Sequence, residues 1–226
     1  MLVRIATLLS PAELASVRAR LADAPWVDGR LTAGYQSAAV KQNLQLRQSE
    51  DVARKMSELI LRALERSALF VSAALPQHVY PPLFNRYEEG MAFGDHIDNA
   101  LRQIPGTAHR LRTDLSATLF LSAPHEYDGG ELTIEDTYGA HSVKLEAGDL
   151  IVYSASSVHR VEPVTRGVRL AAFFWIQSLV RDDGARTLLF ELDSCIRQLT
   201  SKAADSDSLI RLTACYHNLI RRWASG

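Results

Sequence analysis

A β-dominated α+β fold is the class this sequence predicts, with an antiparallel sandwich or jelly-roll core between N-terminal helices and a C-terminal helical tail. Three observations lead there. Apolar residues recur at helical spacing before residue 70 and again after residue 181. From about 79 to 178 the texture changes to short strand-like runs: VYPPLFNRY, DLSATLFL, GELTIED, DLIVYS, VHRVEP and VRLAAFFWI. Glycine turns divide them, at Asp128-Gly129-Gly130, Gly139 and Gly148-Asp149. No helix of useful length fits between these strands, which argues against a parallel sheet.

In chain order, Ser10 caps a first helix with Pro11 in its opening turn. Leu14, Val17 and Leu21 follow at helical spacing, and Pro25 ends the run. Residues 28–50 form a polar stretch that contains YQSAAVKQNLQL. A second helix is expected from Asp51 to Phe70, with Val52, Met56, Leu59, Ile60, Ala63 and Leu64 on one face. After the strands, helices are expected at Ala185–Ser201 and Ser208–Trp223, joined by the polar linker KAADSD. Leu188, Leu189, Leu192, Ile196 and Leu199 give the first of these an apolar stripe. The domain division that follows is 1–178, with helices in 10–70 and the core at about 79–178, and a helical extension at 179–226.

Size and composition suit one domain with a substantial core: 226 residues, 47% apolar and 23% charged. A net charge of −1 gives no reason to expect nucleic acid or an acidic membrane surface as partner. Arg4 interrupts the apolar N-terminus, which runs directly into the Ser10 cap, so no signal peptide is expected. No stretch approaches a transmembrane span. The two cysteines, Cys195 and Cys215, lie outside any CxxC and read as buried or half-buried thiols in a reducing cytoplasm.

His96-Ile97-Asp98 places an imidazole and a carboxylate two residues apart, hence on one face of an extended chain. With seven histidines in the chain, HxD is expected about 0.4 times by chance, so the motif alone is weak. His159, in the later run SSVHRVEP, offers a third ligand. Two imidazoles and one carboxylate on one metal would leave open positions for other reactants. Ten residues further on, Arg169 enters the apolar run VRLAAFFW. A charge there is costly unless paired. A bound dicarboxylic acid would supply a two-pronged partner; a strand-end arginine reaching solvent is the alternative.

In this order and with these surroundings, the chain resembles the bacterial PKHD-type hydroxylases, in the prolyl-4-hydroxylase-like branch of the Fe(II)/2-oxoglutarate dioxygenases. The resemblance covers nearly the whole chain. It is carried by KQNLQL at 41–46, FNRYEEGMAFGDHIDNA at 84–100, DLSATLFLS at 114–122, YDGGELTIED at 127–136 and the run from Ala147 to Ser178. It implies a double-stranded β-helix (jelly-roll) core and a cytoplasmic enzyme that hydroxylates a substrate while converting 2-oxoglutarate to succinate and CO2. The implied iron(II) ligands are His96, Asp98 and His159. Arg169 corresponds to the residue that pairs with 2-oxoglutarate, and Tyr87 more loosely to a tyrosine that contacts it. O2 is the other co-substrate, and ascorbate a reductant. Relatives of this kind often accompany outer-membrane iron-siderophore receptors, which implies a role in iron uptake. A non-catalytic jelly roll sensing iron or 2-oxoglutarate is the competing reading, and succinate release discriminates between them.

Other polar residues carry less. His125-Glu126 lacks HExxH spacing and reads as loop; His78, His109, His141 and His217 find no partner motif. Lys41 and Gln45 read as an ordinary polar loop that, in the family, could border a substrate pocket. Residues 99–112 follow the ligand pair directly and are a candidate lid. A homo-oligomer through the C-terminal helices is expected from the apolar stripe, with no nucleic acid or membrane as partner.

Overall fold

The computed structural model describes residues 1–32, 38–104, 106–202 and 205–225. Parts of the polar stretch, of the 99–112 segment and of the KAADSD linker therefore lie outside the described residues. The strands of the first half are β1 (Leu2–Ile5), β2 (Trp26–Asp28), β3 (Lys41–Gln42), β4 (Leu44–Leu46), β5 (Pro76–Val79), β6 (Leu83–Tyr87), β7 (Ala92–His96), β8 (Leu101–Gln103) and β9 (Arg110–Arg112). The second half supplies β10 (Leu115–Phe120), β11 (Tyr127–Gly129), β12 (Leu132–Asp136), β13 (Gly139–Val143), β14 (Leu150–Ser154), β15 (His159–Val161), β16 (Val164–Gly167) and β17 (Arg169–Ser178). Helices are α1 (Pro11–Ala22), α2 (Asp51–Arg66), α3 (Ala68–Ala74), α4 (Asp183–Ser201) and α5 (Ser206–Trp223).

An eight-stranded sheet runs β1-β14-β10-β17-β6-β4-β2, with β5 also on β17, and a five-stranded sheet runs β13-β12-β15-β7-β3. Every recorded pairing is antiparallel. This is the two-sheet jelly roll expected. All six residues of β10 are buried, because strand alternation sends them to two covered faces. Leu115, Ala117 and Leu119 join the helix-side core with Val17, Leu21, Met56 and Ile60. Ser116, Thr118 and Phe120 face the second sheet. β17 alternates likewise: Ala172, Phe174 and Ile176 meet the helices, so Arg169, Ala171, Phe173 and Trp175 point the other way.

Ser10 caps α1 in a reciprocal box with Glu13: the Glu13 amide donates to Ser10 Oγ at 3.3 Å and the Ser10 amide to Glu13 Oε2 at 3.0 Å. The helix expected to run from Asp51 to Phe70 is broken instead at Ser67. Its backbone is extended (φ −83°, ψ 100°), and its hydroxyl accepts from the Phe70 amide, starting α3 afresh. The N-terminal apolar run is a strand, β1, paired with β14. The polar stretch also holds pairing segments: β4 lies between β2 and β6, and β3 edges the second sheet.

The C-terminal helices start at Asp182 and Asp205, whose carboxylates accept from the amides of Ala185 (2.7 Å) and Ser208 (2.8 Å). Leu189 is buried with Leu75 and Val180 and is covered by Tyr216, Leu219, Ile220 and Trp223 of α5. Leu188 stays 58% exposed, so the stripe does not bury as one face. Cys195 and Cys215 are both exposed, not buried or half-buried as expected. They sit on the outward sides of helices whose inward sides are filled by the residues just named. Among the described residues, no helix is long and apolar enough to cross a membrane.

Candidate active site

β7 and β15 are neighbours, and their register sets His96 opposite His159. Each ring is tied by Nδ1 to a backbone carbonyl, His96 to Gly94 at 2.8 Å and His159 to Ser157 at 3.0 Å. A carbonyl can only accept, so Nδ1 donates in each ring and Nε2 is the atom available to a metal. Just past the end of β7, Asp98 brings Oδ2 to 3.6 Å from His159 Nε2 and accepts from Ser116 Oγ at 2.6 Å. One potential ligand atom from each of His96, Asp98 and His159 lies within 4.8 Å of the others. Phe93 stacks on His96 with ring centroids 3.6 Å apart. Burial, reinforced by His159, pushes the His96 pKa down to about 4, which keeps the imidazole in the neutral form that binds a metal.

Arg169 opens β17 directly opposite Tyr87 on β6. It is 1% exposed, and its Nε, Nη1 and Nη2 have no hydrogen-bond partner among the described residues. The Tyr87 hydroxyl, near Asn43, and the Tyr127 hydroxyl, near Arg169, are likewise buried and make no hydrogen bond within 3.5 Å among the described residues. The guanidinium carbon lies 5.3 Å from the Tyr87 ring centre and 5.4 Å from that of Phe120. Burial raises the pKa of both tyrosines, so both remain protonated donors. A buried cation with three unused donor atoms beside two phenols is costly alone and suits a carboxylate. Gly130 makes room for it. At φ +66°, a Cβ there would stand 3.1 Å from both Arg169 Cδ and Tyr127 Cε2.

A cleft enclosing about 750 Å³, including its open mouth, joins the histidine–aspartate group to Arg169. Lys41 and Gln45, read from sequence as loop, are buried strand residues, with Lys41 Nζ donating to Gln45 Oε1 at 2.9 Å. Burial and the nearby Arg102 push the Lys41 pKa down to about 8. The segment after Asp98 forms the β8–β9 hairpin and carries Arg102 over Trp175, 3.7 Å from the ring centre. The remaining histidines stay apart: His141 pairs with Asp136 at 2.9 Å, and His217 packs on Tyr216. Glu126 holds Arg18 at 2.6 Å.

Residues 82–177 match the model of the 2OG-Fe(II) oxygenase superfamily, and residues 183–225 match the PKHD-type hydroxylase C-terminal domain. A PKHD-type hydroxylase of Methylobacterium nodulans is 60% identical over 99% of both chains. One from Bordetella pertussis is 57% identical, again over 99% of each. The chain belongs to the PKHD-type hydroxylases. As a member of that family it is a 2-oxoglutarate-dependent iron dioxygenase. The crystal structure of a Pseudomonas putida prolyl-4-hydroxylase shares the fold at a TM-score of 0.53 and 19% identity, covering 78% of this chain and 92% of that one.

Sequence reasoning missed Asn43, Asn85, Arg102, Ser116 and Tyr127 as lining or supporting residues. For Ser116 a signal existed. It is a hydroxyl at a cavity-facing position of a strand whose other face is purely apolar. Arg102 had none, because a polar hairpin looks the same whether its arginine points outward or inward.

Proposed function

We propose that His96, Asp98 and His159 hold iron(II), and that Arg169, with Tyr87 beside it, binds the distal carboxylate of 2-oxoglutarate. The observation that carries this reading is the fully buried Arg169 guanidinium, without a hydrogen-bond partner among the described residues, in the same cleft as the three ligand atoms. Iron(II) in this class supplies oxygen activation, coupled to conversion of 2-oxoglutarate to succinate and CO2 and to placing one oxygen atom in a substrate C–H bond. The protein's part is orientation. Gly94 and Ser157 carbonyls fix the two imidazoles, Ser116 fixes the Asp98 carboxylate, and Phe93 and Tyr153 shield the rings. Residues 1–178 form the oxygenase domain in this reading, and 179–226 a helical extension.

The substrate is a small molecule or a peptidyl residue; a role in iron or siderophore uptake and ascorbate as reductant rest on the family resemblance alone, and a cytoplasmic setting on that and on the cysteine pattern. With no substrate in hand, iron(II) and 2-oxoglutarate together should still yield succinate through uncoupled turnover. Omission of either, or chelation of the metal, should stop it. Succinate formation that ignores the metal would sink the reading.

Self-association through α4 and α5 is proposed, with neither nucleic acid nor a membrane expected as partner. Leu188 at 58%, Leu199 at 37% and Ile210 at 66% exposed are apolar groups that these helices offer a second copy. Light scattering at tens of micromolar should give a dimer or larger for the full chain and a smaller species for a chain ending at Ser178. A monomeric full chain would end this idea.

A further inference from the structure

We propose that Arg102, with Lys41 beside it, forms the substrate's anchoring subsite, and that the substrate is a small molecule carrying an oxyanion such as a carboxylate on a planar or apolar body. This rests on the iron and 2-oxoglutarate assignment above and extends it to the third reactant. Position comes first. Arg102 lies over Trp175, and Trp175 is six residues along β17 from Arg169, on the same face. At about 3.3 Å per residue that is roughly 20 Å. A five-carbon diacid held by Arg169 cannot reach it. Trp175 is also the register partner of Ser116, whose hydroxyl holds Asp98. Arg102 therefore stands beside the metal group, at the end of the cleft remote from Arg169.

Charge points the same way. Iron(II), Asp98, Arg169 and a 2-oxoglutarate dianion cancel in formal charge. Arg102 and Lys41 then leave the cleft positive. Asp98 and Tyr80 attract Arg102, and its Nε is buried with no hydrogen-bond partner among the described residues. A buried donor without a partner, on an arginine that lines the cleft, is stabilised by an incoming acceptor.

The surroundings describe the rest of the ligand. Lys41 Nζ sits 5.3 Å from the Phe93 ring centre and 5.8 Å from that of Phe173. Phe173 and Trp175 meet edge to face at 5.6 Å. Two cationic groups set among three aromatic rings accept an anion attached to an apolar or flat body.

Phenylacetate, its neutral amide phenylacetamide and the cationic phenethylamine are the probes. Each is titrated calorimetrically under nitrogen into protein with iron(II) and saturating 2-oxoglutarate. The wild type should bind phenylacetate about tenfold or more tighter than the amide, and the amine weakest. Arg102→Gln should erase the preference for acid over amide, and Arg102→Lys should restore part of it. Equal binding of acid and amide by the wild type, or a preference that survives Arg102→Gln, overturns the proposal. So does phenylacetate affinity that falls as 2-oxoglutarate rises, which would place the probe at Arg169. Tighter binding of N-acetyl-Asp-Phe-amide than of phenylacetate overturns the small-molecule claim. Uptake of iron and 2-oxoglutarate by the wild type is recorded first; its failure counts against the site assignment, whereas the acid–amide comparison counts for or against Arg102.

Discussion

His96→Ala and His159→Ala are each expected to abolish iron(II) binding at micromolar metal, where the unaltered chain takes up one iron per molecule. Titration under nitrogen reads this directly. Each variant leaves one imidazole and one carboxylate, and the lost ring is one that the backbone had already oriented through Nδ1. Asp98→Ala should weaken binding less completely, because both imidazoles remain. His159 is 5% exposed, so a thermal melt of each variant is needed to separate loss of metal from loss of fold. Full iron stoichiometry in both histidine variants would dismantle the ligand assignment. If one histidine variant alone kept its iron, the site would have a ligand outside this trio.

What the sequence could convey about this site follows from where its strands find their partners. HxD and the later histidine are legible because side-chain alternation is local: two residues apart means one face. Ser10 and Glu13 are equally local, and so is the cap they form. β3 and β4 were illegible for the opposite reason. They hold two and three residues, too few to show a period, and the strands that tie them into the two sheets, β7 and β6, lie some forty or more residues away. A lysine and a glutamine in such a stretch look solvated, yet Lys41 and Gln45 are buried because the second sheet and β17 close over them. Ser67 shows a further limit. Its apolar neighbours keep helical spacing through it, and the extended backbone at Ser67 and its hydroxyl's bond to the Phe70 amide reveal that the helix restarts. The cysteines were misjudged because amphipathic helices can turn a small thiol outward at no cost. Arg169 lay between these extremes. A charge inside an apolar strand signals either a strand end or a ligand, and only the depth of β17 in the sheet decides.

Arg169→Ala should raise the 2-oxoglutarate requirement by about 30-fold or more while leaving iron binding in place. Succinate formation measured against 2-oxoglutarate concentration, in uncoupled turnover, reads the first; the nitrogen titration reads the second. Removing one partner of a buried, hydrogen-bonded charge pair costs about 2–5 kcal/mol, since the other charge is left buried and unpaired. Each 1.4 kcal/mol is about tenfold. The setting favours the larger end. The guanidinium is 1% exposed, and its neighbours are Tyr87, Phe120 and Tyr127, none of which can replace a cation. Arg169→Lys should recover part of the loss, because the charge survives and the planar fork does not. Tyr87→Phe should cost less than either, as it removes one neutral donor. The metal residues sit on β7, β15 and the segment after β7, so truncating a side chain on β17 does not remove a ligand. If Arg169→Ala keeps the wild-type dependence on 2-oxoglutarate, the co-substrate lies elsewhere in the cleft. Arg102, the other arginine lining that cleft, would then be the residue to test for it.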